Sequence, residues 1–245
     1  MKINQAVILA GGKGTRLRPL TNLTPKPMAL VNGFPFLDYL INSIKGVGIN
    51  RVLLLVGYKY EKIIQYYGNM VGGQIIIEYS IGGVNDKTGR RILNAYDLLD
   101  DHFLLLYSDN YWPIELDQMI NNYINTGSNI STTVFSNKSG TSEYGKENNI
   151  FVGSNNIVKE YDKSRSSPNI NGVDIGYFIV SKELLDNNIL SNISFEDHIL
   201  TKLIKNRQLS AYITDQQYYY ITTWKDLKNF EIVSKKNNYK PISNK

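Results

Sequence analysis

Cysteine is absent from this sequence, and histidine occurs only as His102 and His198. The first absence excludes a disulfide framework, thiolate-held zinc, an iron–sulfur cluster and a thiol nucleophile. The second leaves too few imidazoles for a histidine-rich metal centre. Hydrolases built on a Cys–His pair or on several metal-bound histidines are therefore ruled out. No apolar run approaches the roughly 18 residues that a membrane-spanning helix requires. The first five residues, MKINQ, lead straight into a strand-like run and lack the pattern of a secretory leader. A cytoplasmic protein with no membrane partner is the expectation.

What is present is the balance of a globular chain, with 42% apolar and 20% charged residues in a length of 245. A chain of this size buries roughly three quarters of its unfolded surface, so a single domain holds a core without staples. Lys and Arg number 27 against 22 Asp and Glu, a net charge of +5. Such an excess suits either nucleic acid or a small anionic substrate. Its distribution favours the small molecule. The basic residues gather at Lys13, Arg16, Arg18 and Lys26, and again at Arg90 and Arg91, with no RNP-like or zinc-finger pattern. No nucleic-acid partner is expected, and a homo-oligomer is left open.

Apolar, β-branched runs at 6–10, 51–57, 74–79, 103–107 and 131–135 alternate with helical patterns at 36–45, 60–67, 88–99 and 114–124. This alternation predicts an α/β fold, a Rossmann-like, mostly parallel sheet flanked by helices, with its ligand crevice at the carboxyl ends of the strands. From 148 to 161 the pattern shifts to short strands with Gly and Asn turns. A strand at 173–180 and helices at 194–205 and 225–233 follow, and the polar end from 235 to 245 reads as frayed.

The strongest local feature is ILAGGKGTRLRPL at 8–20, followed by TPKPM at 24–28. A buried strand running into Gly11, Gly12, Lys13, Gly14 and Thr15 gives a loop whose amides can approach an anion without Cβ hindrance. Neither the Walker spacing nor the dinucleotide fingerprint is present. A plain tight turn would explain the glycines alone. Arg16 and Lys26 on the same excursion, the latter stiffened by Pro25 and Pro27, point instead to a polyphosphate.

The run LAGGKGTRLRPLT with TPKPM resembles the signature of the sugar-1-phosphate nucleotidyltransferases. The likeness continues more weakly through the strand ending at Asp109, EYDKS at 160–164, GVDIGYF at 172–178 and SFEDHIL at 194–200. The resemblance implies that Leu9, Ala10, Gly11 and Gly12 line the base and phosphates. With Gly14, Thr15, Thr88 and Gly89 they form the nucleotide side. It places Arg16 on the outer phosphates and Lys26 near the reacting ones. It implies one domain over 1–245, with 1–136 mainly binding nucleotide and 137–234 forming a smaller, mixed α/β sugar-binding half.

The same resemblance makes Asp109 a ligand of Mg²⁺, with Ser108 standing where the family usually has glycine. A turn-capping role is the simpler alternative for that aspartate. The family's second metal carboxylate aligns with Tyr220, a departure that leaves Asp174 or Asp162 as candidates for another oxygen ligand. Asp162 and Lys163 align with an acid–lysine pair that contacts the sugar and its phosphate. Asp174 lies between Val173 and Ile175 in a strand and so faces the other side from them, as a pocket acid would. Glu196 is either a sugar contact or part of a helix start capped by Ser194. Arg90 and Arg91 in a helix's first turn oppose its dipole, which favours a role on the phosphorylated sugar or the triphosphate.

The implied reaction joins an NTP to a sugar 1-phosphate and releases pyrophosphate. GTP with D-glycero-D-manno-heptose 1-phosphate or mannose 1-phosphate is the first expectation. A non-sugar acceptor such as phosphocholine and a catalytically silent nucleotide-sugar-binding subunit are the alternatives.

Overall fold

The computed structural model describes residues 1–136 and 147–242. Strands β1 (Gln5–Ala10), β2 (Arg51–Val56), β3 (Met70–Val71), β4 (Ile75–Ile81), β5 (His102–Tyr107), β6 (Ile130–Phe135), β7 (Val173–Ser181) and β8 (Leu209–Thr214) form one sheet. Its spatial order is β8-β6-β7-β5-β1-β2-β4-β3. Strands β3 and β7 run against the rest, so the sheet is mostly parallel, as predicted.

The central strands are buried on both faces, which is why QAVILA and RVLLLV read as nearly unbroken apolar runs. Their side chains still alternate. Ala6, Ile8, Val52 and Leu54 enter one core, while Val7, Leu9, Leu53 and Leu55 enter the other. Helices α1 (Phe36–Gly46), α2 (Tyr60–Tyr67), α4 (Leu116–Thr126) and α6 (Trp224–Lys236) cover the first face, and α3 (Thr88–Asn94) and α5 (Thr201–Lys205) the second.

Helix α1 shows how the sequence builds a layer. Leu37, Leu40, Ile41 and Ile44 recur at three- and four-residue spacing and are buried on the sheet. Each contributes about 1.5–3 kcal/mol of burial. Gly48, at φ 82°, turns the chain back toward β2.

Three expectations change. The helix predicted over 88–99 stops at Asn94 and tightens into a 3₁₀ turn at Tyr96–Leu98. The fully buried Gln5 amide takes the Leu98 carbonyl at 2.8 Å and the Asp100 N–H at 2.9 Å, bending the chain into β5. The edge strand β8 was not anticipated, because LSAYIT carries only a weak alternation. The segment from 235, expected to fray, instead completes α6 and packs as far as Ile242. Ile242 is buried and donates its N–H to the Asp38 carbonyl at 3.0 Å. Tyr239 stacks on Phe230 and lies 4.6 Å from the Tyr111 ring. Residues 243–245, also in that predicted tail, lie outside the described residues, as do residues 137–146 of the predicted second half.

Asp38 gives this core a pH signature. It is fully buried on α1, and burial lifts its pKa from 3.8 to about 6, although the Tyr67 and Tyr66 hydroxyls donate to it at 2.7 and 3.1 Å. Between pH 4 and 6 the folded chain therefore holds a proton that the unfolded chain has released. The stabilisation is present below that window and is lost as pH rises through it. Asp38→Asn should flatten this part of the fall in melting temperature between pH 4 and 6, measured by thermal denaturation. An unchanged slope would show that the carboxyl is ionised in the folded protein.

Candidate active site

Past β1 the chain does not enter a long helix. It makes three short 3₁₀ turns, Thr15–Leu17, Leu20–Asn22 and Lys26–Met28, which keep residues 11–28 close to the strand ends. Gly14 sits at φ 59°, and a Cβ there would lie 2.8 Å from the Lys26 Cβ. Only glycine lets the two parts of this excursion touch.

A cavity of about 500 Å³ opens beside this excursion. Leu9, Gly11, Gly12, Gly14, Arg16 and Lys26 line one wall, Thr88 and Arg91 of α3 another, and Tyr107, Ser108 and Asp109 at the end of β5 the floor. Ser194, Glu196 and Asp197 close it from the second half of the chain. This is the strand-end crevice that the α/β pattern predicts.

The central contact is an ion pair. Lys26 Nζ lies 2.6 Å from Asp109 Oδ2, with the two side chains 12% and 30% exposed. The two residues that the sequence assigns to phosphate and metal thus meet across the cavity floor. Arg16 is exposed on the same wall and has no carboxylate partner among the described residues.

Glu196 rises from a wide π-type turn, Phe195–Leu200, that continues into α5. Its carboxylate accepts from Ser194 Oγ at 2.5 Å, from Thr88 Oγ1 at 2.9 Å and from the Tyr107 hydroxyl. Burial pushes its pKa up, but these hydroxyls outweigh that and hold it below the usual value. Ser194 also accepts the Asp197 N–H, so the helix-cap reading of this segment holds, while Glu196 itself lines the cavity.

Other predicted residues sit elsewhere. Asp162 is only partly exposed, on its own turn. It accepts from Ser164 Oγ and from the N–H groups of Ser164, Ser166 and Ser167, which hold its pKa well below the ordinary value. It is not among the residues that line the cavity. Lys163 reaches the rim, 2.6 Å from Asp197 Oδ1 and 4.0 Å from Glu196 Oε2.

Asp174 accepts from Thr132 Oγ1 at 2.8 Å and from the Gly176 N–H at 3.0 Å. Burial raises its pKa to about 6 against those two bonds, and the charge of Glu196 adds to the rise. Its side chain does face away from Val173 and Ile175, but it stands behind the cavity wall rather than on it. Ala10 is buried in the core, Thr15 opens a 3₁₀ turn, and neither lines the cavity. Gly89 is where α3 meets the Ile193 carbonyl, 2.9 Å from any Cβ placed there.

Arg90 and Arg91 are both engaged by the protein itself. Arg90 donates to Asn94 Oδ1 at 2.7 Å and to the Ile189 carbonyl at 2.7 Å. Arg91 is 5% exposed and donates to the carbonyls of Val56, Gly11 and Gly83. Both guanidinium groups hold backbone, which answers the unfavourable dipole without any substrate. Sequence reasoning also passed over Tyr107 and Asp197. Tyr107, two residues before Asp109 at a strand's carboxyl end, carried a usable signal.

Comparison with known proteins places this geometry. The sequence profile described as nucleotidyl transferase matches residues 5–238. A probable glucose-1-phosphate cytidylyltransferase of Bacillus subtilis is 30% identical over 91% of this chain and 93% of its own. A D-glycero-α-D-manno-heptose 1-phosphate guanylyltransferase of Aneurinibacillus thermoaerophilus is likewise 30% identical, over 87% and 91%. Among solved structures, HddC from Yersinia pseudotuberculosis shares the fold with a TM-score of 0.78 at 23% identity, over 94% of this chain and 99% of that one. The glycine loop, the cavity at the strand ends and these matches over nearly the whole chain agree: the protein belongs to the sugar-1-phosphate nucleotidyltransferase family.

Proposed function

We propose that this enzyme transfers a guanylyl group from GTP to D-glycero-D-manno-heptose 1-phosphate or mannose 1-phosphate, for surface-glycan synthesis. The observation that carries the chemistry is the meeting of Lys26 and Asp109 at 2.6 Å in a cavity also lined by Arg16 and the glycine loop. The choice of nucleotide and sugar is supported by the guanylyltransferase relative and by the likeness of the SDNYWP, YDKS, GVDIGYF and SFED segments. The cytidylyltransferase relative, equally similar, makes CTP with glucose 1-phosphate the competing pair.

In this reading a phosphate oxygen of the sugar 1-phosphate attacks the α-phosphorus of the NTP. A new P–O bond forms, the α–β bridging bond breaks, and its electron pair leaves with pyrophosphate. The nucleophile needs no general base, since a phosphate monoester with a second pKa near 6 is largely dianionic at neutral pH. The protein's work is to hold two polyanions in line and to offset their charge. Leu9, Gly11, Gly12 and Thr88 form the nucleotide wall, Arg16 takes the outer phosphates, and Lys26 the reacting ones. Residues 1–136 supply these groups, and the second half closes the sugar side through Glu196, with Lys163 at the rim.

Mg²⁺ fits this donor set. Among the described residues no three His, Cys, Asp or Glu side chains cluster as a metal cage. A single carboxylate on the cavity floor nonetheless suits an ion that is usually held by one or two carboxylates together with substrate phosphates and water. Asp109 would hold it. When bound, the ion would offset phosphate charge at the reacting centre.

A pyrophosphate-release screen of four NTPs against glucose, mannose and heptose 1-phosphates, with phosphocholine included, tests the assignment. GTP with a manno-configured acceptor should dominate, and turnover of CTP with glucose 1-phosphate alone would replace it. Arg16→Ala and Lys26→Ala should each lower turnover on the order of a hundredfold. Their melting temperatures should stay within about 2–4 °C of wild type, a shift worth roughly 1 kcal/mol at this chain length. Near wild-type kinetics in both would remove these residues from the site. Asp109→Asn should keep the fold and shift the Mg²⁺ dependence of turnover to much higher concentration, because a neutral amide is the weaker ligand for a hard cation. An unchanged magnesium titration would place the metal on another group.

A further inference from the structure

Arg91 is a buried cation that the proposed chemistry does not use, and it occupies an unusual socket. A Cβ at Gly11 would lie 2.2 Å from its Nη1, one at Gly57 2.4 Å, and one at Gly82 3.1 Å. Three glycines, just past the carboxyl ends of the adjacent parallel strands β1, β2 and β4, together leave the space that the guanidinium fills. It donates from Nη1 to the Val56 carbonyl at 2.9 Å, and from Nη2 to Gly11 at 3.1 Å and Gly83 at 2.8 Å. A planar fork of fixed donors can hold three carbonyls at once, which a lysine ammonium on its flexible stem cannot match in direction.

The consequence falls on the phosphate loop. The Gly11 carbonyl accepts from the Tyr58 N–H at 3.1 Å as well as from Arg91, so its direction is doubly fixed. In a planar trans peptide the next residue's N–H points opposite to that carbonyl. That N–H belongs to Gly12, which lines the cavity and whose N–H has no acceptor among the described residues.

We propose that Arg91 is a positioning residue for nucleotide binding, clamping the ends of three strands so that the Gly12 N–H stays aimed at a nucleotide phosphate. The inference rests on the nucleotide-binding reading of this cavity and goes beyond it. Burial costs the guanidinium hydration, and Asp86 is the acid near enough to compensate it. A cation with neutral partners and one nearby acid is a costly way to pack a core, so a return in binding accounts for its place.

Binding of MgGTP, with MgCTP in parallel, is to be measured by calorimetry on wild type, Arg91→Ala, Arg91→Lys and Gly57→Ala. Arg91→Ala should weaken the nucleotide that wild type binds by about tenfold or more, the worth of lost charge-assisted hydrogen bonds. Guanidinium chloride at millimolar, non-denaturing concentration should restore much of the affinity by refilling the socket, and Arg91→Lys should not. Gly57 does not line the cavity, yet Gly57→Ala should weaken nucleotide by displacing the clamp and should add nothing in an Arg91→Ala background. Unchanged nucleotide affinity in both Arg91→Ala and Gly57→Ala overturns the clamp alone. So does a loss in Arg91→Ala that guanidinium leaves unrestored while Arg91→Lys recovers it. Wild type that binds neither nucleotide overturns the clamp and the nucleotide-site reading together.

Discussion

A parallel sheet ends in backbone groups that its own ladder no longer pairs, and the cavity is built from the way this chain satisfies them. Beyond Ala10, Val56 and Ile81 each strand runs into glycine, and the carbonyls at those ends turn to partners outside the ladder. Gly11 accepts from Tyr58, Val56 from Gly82, and Arg91 ties both to Gly83. The Asp109 carbonyl accepts the Ile221 N–H at 3.0 Å, so the short antiparallel pair of Asn110–Tyr111 with Tyr219–Tyr220 closes the same end of the sheet. Unpaired buried backbone would cost free energy comparable to a lost hydrogen bond at each position. The arrangement that avoids this cost also leaves a concave surface fringed with N–H groups, which suits a polyanion.

Apart from Arg16, the charged side chains of the site are engaged by one another or by nearby hydroxyls. Lys26 is held by Asp109, Lys163 by Asp197, and the Glu196 carboxylate by three hydroxyls. A partly buried charge left alone would carry a desolvation penalty, which the Lys26–Asp109 pair and the hydroxyls on Glu196 offset. On the proposed reading, substrate enters by exchange. The ammonium of Lys26 moves from carboxylate to phosphate, the carboxylate is left to the metal, and the net change in buried charge stays small.

How much of this was legible depends on whether a residue's partner was close in sequence or pattern. The strands and most helices announced themselves, because burial on two faces demands unbroken apolar runs and burial on one face demands helical spacing. The glycine loop and Asp109 were legible from their places at strands' carboxyl ends, and Lys26 as a cation between two prolines on the same excursion. Arg91 was not. Its partners are carbonyls at residues 11, 56 and 83, and a backbone acceptor leaves no residue type to read. Asp162, aligned with the family's acid–lysine pair, takes its hydrogen bonds from the N–H groups of its own serine-rich turn, partners that no residue type announces. Packing of the tail was hidden by its polarity, since only Tyr239 and Ile242 carry the contact.

Tyr220 bears on how the site would hold a metal. The short antiparallel pair sets its backbone opposite Asn110, next to Asp109, where the resemblance to the family required a second acid. The side chain there is a phenol 3.4 Å from both oxygens of Glu147. Burial first and the charge of Glu147 second push its pKa to about 12, so it remains a neutral donor at physiological pH. With a single carboxylate on the cavity floor, the protein has little hold on a bare Mg²⁺ ion. On the proposed reading, substrate phosphates and water would complete the coordination, so the ion would be held together with the nucleotide. On that reading the loss of the second acid does not silence the site. It couples metal affinity to nucleotide affinity, so that every group which fixes the phosphates also fixes the ion.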